Sequence, residues 1–327
     1  SRAFPDGVYF VALQPVASVE NVVPTVASAI GFEFFESINP LLQLLSYLHD
    51  KRLLLILDNY EQLLPTTAVV TELLNGAPQS KLLITSREAL NLREEWLFHV
   101  TGMPYPEGES VDAIDAYSAV KLFVERAQRM RHDFLLAKEA VNVVRVCQLV
   151  EGIPLGLELA ATWLRRMPCA EITLQIERSL DFLETDMCGI PDRHRSMRAV
   201  FDHSWQLLSE DERRVLMGLS VFRGGFHREA AEQVVGASLG TLSGLVDKSL
   251  LNVSSDGRYA LHELQRQYAE EKLRDAPTRN VVVHEQHCTF YMEFLVLPPH
   301  QIANRVAEIL DVFETEIDNV RAAWSWG

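Results

Sequence analysis

Hydrophobic positions follow two rhythms along this chain, and the change falls near residue 108. In the first part, short apolar runs of strand type alternate with amphipathic stretches. Val8–Leu13, Leu53–Leu57, Lys81–Thr85 and Trp96–Val100 read as strands, with helices around Asn21–Ile30, Pro40–His49 and Thr67–Leu74. Such alternation predicts a parallel sheet with helices on its faces. The run Leu53-Leu54-Leu55-Ile56-Leu57 is aliphatic throughout and ends in Asp58, the pattern of a strand buried on both faces that delivers a carboxylate to its C-terminal edge. Lys81-Leu82-Leu83-Ile84 repeats the pattern and brings Thr85, Ser86, Arg87 and Glu88 to the same edge.

A turn-rich patch, Gly102-Met103-Pro104-Tyr105-Pro106-Glu107-Gly108, closes this α/β part (1–108). A helical period follows. Val120, Phe123, Val124 and Ala127 recur at i, i+3, i+4, i+7, as do Ala140, Val143, Val144 and Cys147. Pro154 suits the first position of a third helix, running to about Arg166, because no N–H is needed there. These helices form an all-α domain over 109–190, closed near Ile190-Pro191-Asp192. In 191–280, a helix Ser196–Leu208 precedes the capping box Ser209-Glu210-Asp211-Glu212. Gly224-Gly225 breaks the chain before short helices at Arg228–Val235 and Leu239–Asp247. Leu250–Val253 and Arg258–Leu261 then flank Asp256-Gly257, a hairpin signal. Helices and a hairpin in this order predict a winged helix. From 281 the pattern is helical to the end and reads as the start of a helical-repeat, TPR-like region.

Composition excludes several classes. The 327 residues are 48% apolar, and no run approaches the ~18 consecutive apolar residues of a membrane span. No basic-then-apolar segment of signal-peptide type is seen in the sequence, and the start at Ser1 without Met reads as a fragment whose N-terminal portion is missing. Cys147, Cys169, Cys188 and Cys288 are widely spaced without a C-x-x-C pair, which predicts reduced thiols in a cytoplasmic protein. The net charge of −15 argues against a nucleic-acid surface. Residues 195–275 carry 11 basic against 12 acidic side chains, so the winged helix lacks the basic face of a DNA reader.

Four motifs stand in order: Leu-Asp-Asn-Tyr-Glu-Gln-Leu (57–63), Ile-Thr-Ser-Arg-Glu (84–88), Glu-Gly-Ile-Pro-Leu-Gly-Leu-Glu-Leu-Ala (151–160) and Leu-Val-Asp-Lys-Ser-Leu-Leu (245–251). Through them nearly the whole chain resembles the STAND class of signal-transduction ATPases, in particular NB-ARC-like proteins of bacterial regulator type. The fold expected is a truncated P-loop NTPase sheet with Walker B and sensor strands, a helical lid, a winged helix and the first helical repeat. No G-x-x-x-x-G-K-[ST] loop occurs, so the phosphate cradle itself is missing from the sequence.

The resemblance implies ATP/ADP and Mg²⁺ as cofactors of the full-length protein, bound weakly or not at all by this stretch alone. It also implies effector and sensor domains elsewhere in the polypeptide, a homo-oligomer when ATP is bound, and an effector acting on transcription. Asp58 is then the Mg²⁺ residue, direct or through water; otherwise it caps the next helix. The second acid that often follows is here Asn59, which cannot accept a proton, leaving Glu61 as the candidate base. Arg87 matches the sensor arginine that reaches the γ-phosphate, suited by its permanent charge and fork geometry; otherwise it is a surface residue. Thr85 and Ser86 cap or support the loop. Gly152 and Pro154 match the G-x-P motif that packs on adenine, although helix-start chemistry also explains Pro154. His262, in Leu261-His262-Glu263, falls where NB-ARC proteins carry M-H-D, with a contact to the β-phosphate of ADP, or else is structural. Two other readings stand beside this one: a catalytic ATPase of AAA+ type, and a nucleotide-free interaction scaffold.

Overall fold

The computed structural model describes residues 3–16, 18–35, 39–61, 63, 67–108, 113–186, 194–295 and 306–326. Gln62, Cys188, the turn Ile190-Pro191-Asp192 and one or both sides of the boundaries expected at 108/109 and 190/191 lie outside the described residues. The chain forms two compact units, one on residues 1–98 and 247–249 and the other on 99–246 and 250–327.

The first unit runs β1 (Val8–Ala12), α1 (Val22–Ile30), α2 (Pro40–Leu48), β2 (Leu54–Asp58), α3 (Ala68–Gly76) and β3 (Lys81–Ile84). Its sheet has the order β1-β2-β3 with both pairings parallel. Helix α1 stops because Gly31 takes the left-handed conformation, with φ of 70°. Helix α2 starts because the Asn39 side chain accepts the Leu41 N–H at 2.9 Å and Pro40 sits in the first turn.

Side chains alternate across the sheet, and only one of its faces is fully covered. Val11, Leu55 and Leu57 are buried in one cluster with Val26, Leu44 and Leu73 of the three helices. Register sets Phe10, Ile56 and Leu83 side by side on the opposite face, where Phe10 is 60% and Leu83 53% exposed. The expectation of strands buried on both faces therefore needs correction, because an aliphatic run does not itself supply a second layer of helices.

Trp96–Val100 is also corrected. It forms no strand, and Trp96, Phe98 and Val100 are exposed. A strand needs a neighbour to receive its backbone groups, and this segment has none among the described residues.

The second unit is helical. It contains α4 (Ser118–Met130), α5 (Leu136–Leu149), α6 (Pro154–Thr162), α7 (Cys169–Arg178), α8 (Met197–Gln206), α9 (Glu210–Leu219), α10 (Arg228–Val235) and α11 (Leu239–Asp247). The hairpin β4 (Asn252–Val253) and β5 (Tyr259–Ala260) follows, then α12 (Glu263–Arg274), α13 (Pro277–Leu295) and α14 (Val306–Trp326). The capping box of α9 is complete, with reciprocal bonds between Ser209 and Glu212. The β4–β5 pair is antiparallel and turns at Gly257, whose φ is 81°. Phe226 exchanges both backbone bonds with Tyr259 at 2.8 Å, fastening the hairpin in front of α10. The boundary expected at 280/281 falls inside α13.

Helix α12 belongs to both cores of this unit. Its Leu264 and Tyr268 join the cluster built on Phe123, Val143 and Leu157. From another side of the same helix, Ala269 and Leu273 join the cluster of Leu219, Val234, Leu245 and Tyr291. Among the described residues no helix is long and apolar enough to cross a membrane.

Candidate functional site

The expected site residues fall into two groups, one in each compact unit. In the first, Asp58 ends β2 at the C-terminal edge of the sheet. Register carries β3 alongside, with Leu57 facing Ile84, so Thr85 emerges next to Asp58. The Thr85 hydroxyl donates to Asp58 Oδ1 at 2.6 Å and accepts the Asn59 N–H at 3.0 Å. The Thr85 carbonyl accepts the Tyr60 N–H at 3.0 Å. Asn59 has φ of 64°, a left-handed conformation that asparagine tolerates better than most residues. This bend lets the chain leave the strand while Tyr60 turns inward and is fully buried.

Glu61 is 8% exposed. Its Oε1 accepts from Asn59 Nδ2 at 3.2 Å and lies 3.6 Å from Arg87 Nε. The candidate base and the candidate sensor cation are thus joined to each other. Ser86 Oγ accepts the Glu88 N–H at 3.2 Å and shapes the loop that carries Arg87. Thr85, read from the sequence as loop support, is the central hydrogen-bonding group of this edge. Its signal was strand register, two polar endings on neighbouring parallel strands.

Among the described residues no group of three His, Cys, Asp or Glu could hold a metal ion. A lone carboxylate backed by a hydroxyl is nevertheless a donor set of the kind Mg²⁺ uses when phosphate and water oxygens complete its shell. The edge therefore fits an Mg²⁺ whose shell is completed by phosphate and water oxygens.

The second group surrounds the turn between α5 and α6. Glu151 and Gly152 are both left-handed, with φ of 44° and 68°. The Met103 N–H donates to the Gly152 carbonyl at 2.8 Å. A Cβ on Gly152 would stand 2.0 Å from the Met103 carbonyl oxygen, and one on Gly102 would stand 2.0 Å from that of Glu151. Two backbone segments cross here in direct contact, which is the close approach that requires glycine. Pro154 opens α6.

His262 closes this group from the far side. Its Nδ1 accepts the Leu264 N–H at 3.1 Å, capping α12. Nδ1 therefore carries no proton, and Nε2 donates to the Val150 carbonyl at 3.2 Å. Burial holds the imidazole below its usual pKa, against the opposing pull of Glu151 and the Val150 carbonyl. Beside it the Glu263 N–H donates to Glu151 Oε1 at 2.8 Å. Burial would raise the Glu263 pKa, but Arg266, bonded at 2.7 Å, outweighs it and keeps the carboxyl below the usual range. The α5–α6 turn is thus fastened to the start of α12 by His262 and Glu151. Glu151 and Gly102 were not singled out as site residues, because the crossing that involves them brings distant segments together.

No family model matches the chain. A Mycobacterium bovis protein, provisionally named an HTH-type transcriptional regulator, is 34% identical over 98% of this chain and 36% of its own length. The chain thus spans about a third of the length of that relative. An uncharacterised Mycobacterium tuberculosis protein is 31% identical over 83% of this chain and 70% of its own length. A solved structure, a STAND protein with a tetratricopeptide repeat sensor from Pyrococcus horikoshii, aligns with 98% of this chain and 47% of its own at 16% identity. Its TM-score of 0.29 is too low for the superposition to carry an argument. Similarity to the mycobacterial sequences extends over most of the chain, and the chain belongs with them to one family; its four motifs, in order, resemble those of STAND-class, NB-ARC-like proteins.

Proposed function

We propose that this chain is the core of an ATP/ADP-switched signalling regulator, one that controls transcription through an effector elsewhere in the longer protein. The observation that supports this most strongly is the fastening of the Glu151–Pro154 turn to His262. The two segments with nucleotide-type motifs in the helical unit, more than a hundred residues apart, meet through hydrogen bonds.

In this reading Asp58, oriented by Thr85, holds the water shell of Mg²⁺, and the bound ion supplies charge to offset the phosphates. Arg87 exchanges Glu61 for the γ-phosphate when ATP is present, and Pro154 lies against the base. His262 reaches a β-phosphate only by releasing the Val150 carbonyl, so its contact with nucleotide competes with its contact to the turn. A ligand shifts a two-state equilibrium by its differential affinity for the states, and these two exchanges provide one. The hairpin and preceding helices are read as a winged helix with an intramolecular role. Helix α11, Leu239-Gly-Thr-Leu-Ser-Gly-Leu-Val-Asp247, carries no cation for a phosphate backbone. Asn59 beside Asp58 suits slow hydrolysis and disfavours an AAA+ motor.

A second reading, a nucleotide-free docking scaffold, is favoured by one fact: these 327 residues hold no P-loop. Calorimetric titration of ATP and ADP separates the two. The 327-residue chain should bind both weakly or not at all, and a polypeptide extended to include a G-x-x-x-x-G-K-[ST] loop should bind both. In that longer protein Asp58→Ala should weaken Mg·ATP more than ADP. Absent binding in the longer protein would leave the scaffold reading, and equal loss of both nucleotides would make Asp58 a structural cap.

A further inference from the structure

Among the described residues, the ion pair between the hairpin and α14 is buried on both sides. Arg258, immediately before β5, is 9% exposed, and its guanidinium bonds to Glu316 of α14. The same fork donates to the carbonyls of Gly225 at 3.0 Å, Gly224 at 3.3 Å and Thr315 at 3.3 Å. Glu316 Oε2 accepts from the Tyr291 hydroxyl at 2.9 Å and from Asn319 Nδ2 at 2.8 Å. Asn319 has no exposed surface, and its Oδ1 accepts the Arg223 N–H at 2.6 Å.

A buried ion pair is a poor source of net stability, since apolar side chains of the same volume often do as well. What it supplies is geometry and an all-or-none character. With α14 docked, each charge has its partners. With α14 only partly displaced, Arg258 loses its carboxylate before water can replace it. Intermediate positions are therefore disfavoured.

Position along the chain gives this junction its reach. Arg258 is followed by the two residues of β5, then Leu261, then His262, the residue that fastens the Glu151–Gly152 turn. A second connection runs through Arg223, whose backbone is held by Asn319 and whose guanidinium lies 3.7 Å from Glu270 on α12. Arg266 links Glu270 at 2.8 Å to Glu263 at 2.7 Å, and the Glu263 N–H reaches Glu151.

We infer that the Arg258–Glu316 junction is a coupling element, which ties the docking of α14 to the position of His262 and so to the Glu151–Gly152 turn. Whatever binds or displaces α14 acts on that turn through β5 and α12. Its meaning as a nucleotide switch rests on the proposed function, but the coupling is a property of this chain without any ligand.

Amide hydrogen exchange by mass spectrometry on the ligand-free 327-residue chain tests it. Glu316→Gln keeps the shape and removes the countercharge. Exchange should quicken about tenfold or more both in 315–326 and in 147–154, while residues 8–84 serve as an unchanged internal control. The pair Arg258→Met with Glu316→Met, apolar on both sides, should restore protection in both regions together. Faster exchange in 315–326 with 147–154 unchanged overturns the inference. If Glu316→Gln does not fold, Tyr291→Phe, which removes one hydrogen bond to Glu316, takes its place. A smaller response in both regions supports coupling, and one confined to 315–326 refutes it. No nucleotide enters this experiment, so a failed ADP titration and a failed coupling test remain distinguishable.

Discussion

Replacing His262 separates two jobs that one ring performs. In the folded chain Nδ1 caps α12 through the Leu264 N–H, and Nε2 bridges to the Val150 carbonyl. Loss of a helix N-cap costs about 1 kcal/mol, and loss of a partly buried hydrogen bond costs about 1 kcal/mol more. His262→Ala removes both, so the helical unit should lose about 2 kcal/mol. Asparagine is a good N-cap but is too short to reach Val150, so His262→Asn should lose about half as much.

Urea unfolding followed by tryptophan fluorescence reports on the right unit. Trp163, Trp205, Trp324 and Trp326 lie there, and only Trp96 lies in the other. The pH dependence gives a second check. Burial lowers the folded pKa of His262 below the ordinary 6.5, so below pH 6.5 the unfolded chain takes up the proton more readily than the folded one. Stability contributed by the neutral ring is fully present above pH 6.5 and is lost as pH falls toward the lowered value. The gap between wild type and His262→Asn should therefore narrow as the pH falls below 6.5. Equal losses for the Ala and Asn variants, or a gap that does not change with pH, would refute the division of roles.

Gly152→Ala places a methyl 2.0 Å from the Met103 carbonyl in a left-handed turn. It should cost more than about 3 kcal/mol by the same urea assay, well above the effect of His262→Ala. Cys147 and Cys169 are fully buried, and burial pushes both thiols up to about 12. Native alkylation with N-ethylmaleimide at pH 7.5 should spare both until denaturant is added, as peptide mapping will show. His287 is 2% exposed, and burial, with His284 adding to it, lowers its pKa from 6.5 to about 4. Acid should thus withdraw about 3 kcal/mol between those limits. A His287→Gln chain should show a flatter stability profile over that range, measured by urea midpoints at successive pH values.

Local elements were legible in the sequence because their causes are local. Arg228–Val235 and Leu239–Asp247 form as helices with the expected bounds. The Ser209 capping box and the Asp256-Gly257 turn depend on neighbouring residues alone, and so does the delivery of Asp58 to the end of β2 by an aliphatic run. Other features needed the tertiary structure, because their causes are contacts between distant residues. Aliphatic content marked three strands, but only packing decided that one sheet face is covered and that Trp96–Val100 gains no partner. Motif order brought Asp58 and Arg87 forward, but only register placed the Thr85 hydroxyl on Asp58, and only the fold joined Arg87 to Glu61. A histidine after a hairpin has no readable partner in sequence. His262 acquires one 112 residues away, and Arg258 one 58 residues away, because burial leaves their polar atoms no water and the fold must supply an acceptor.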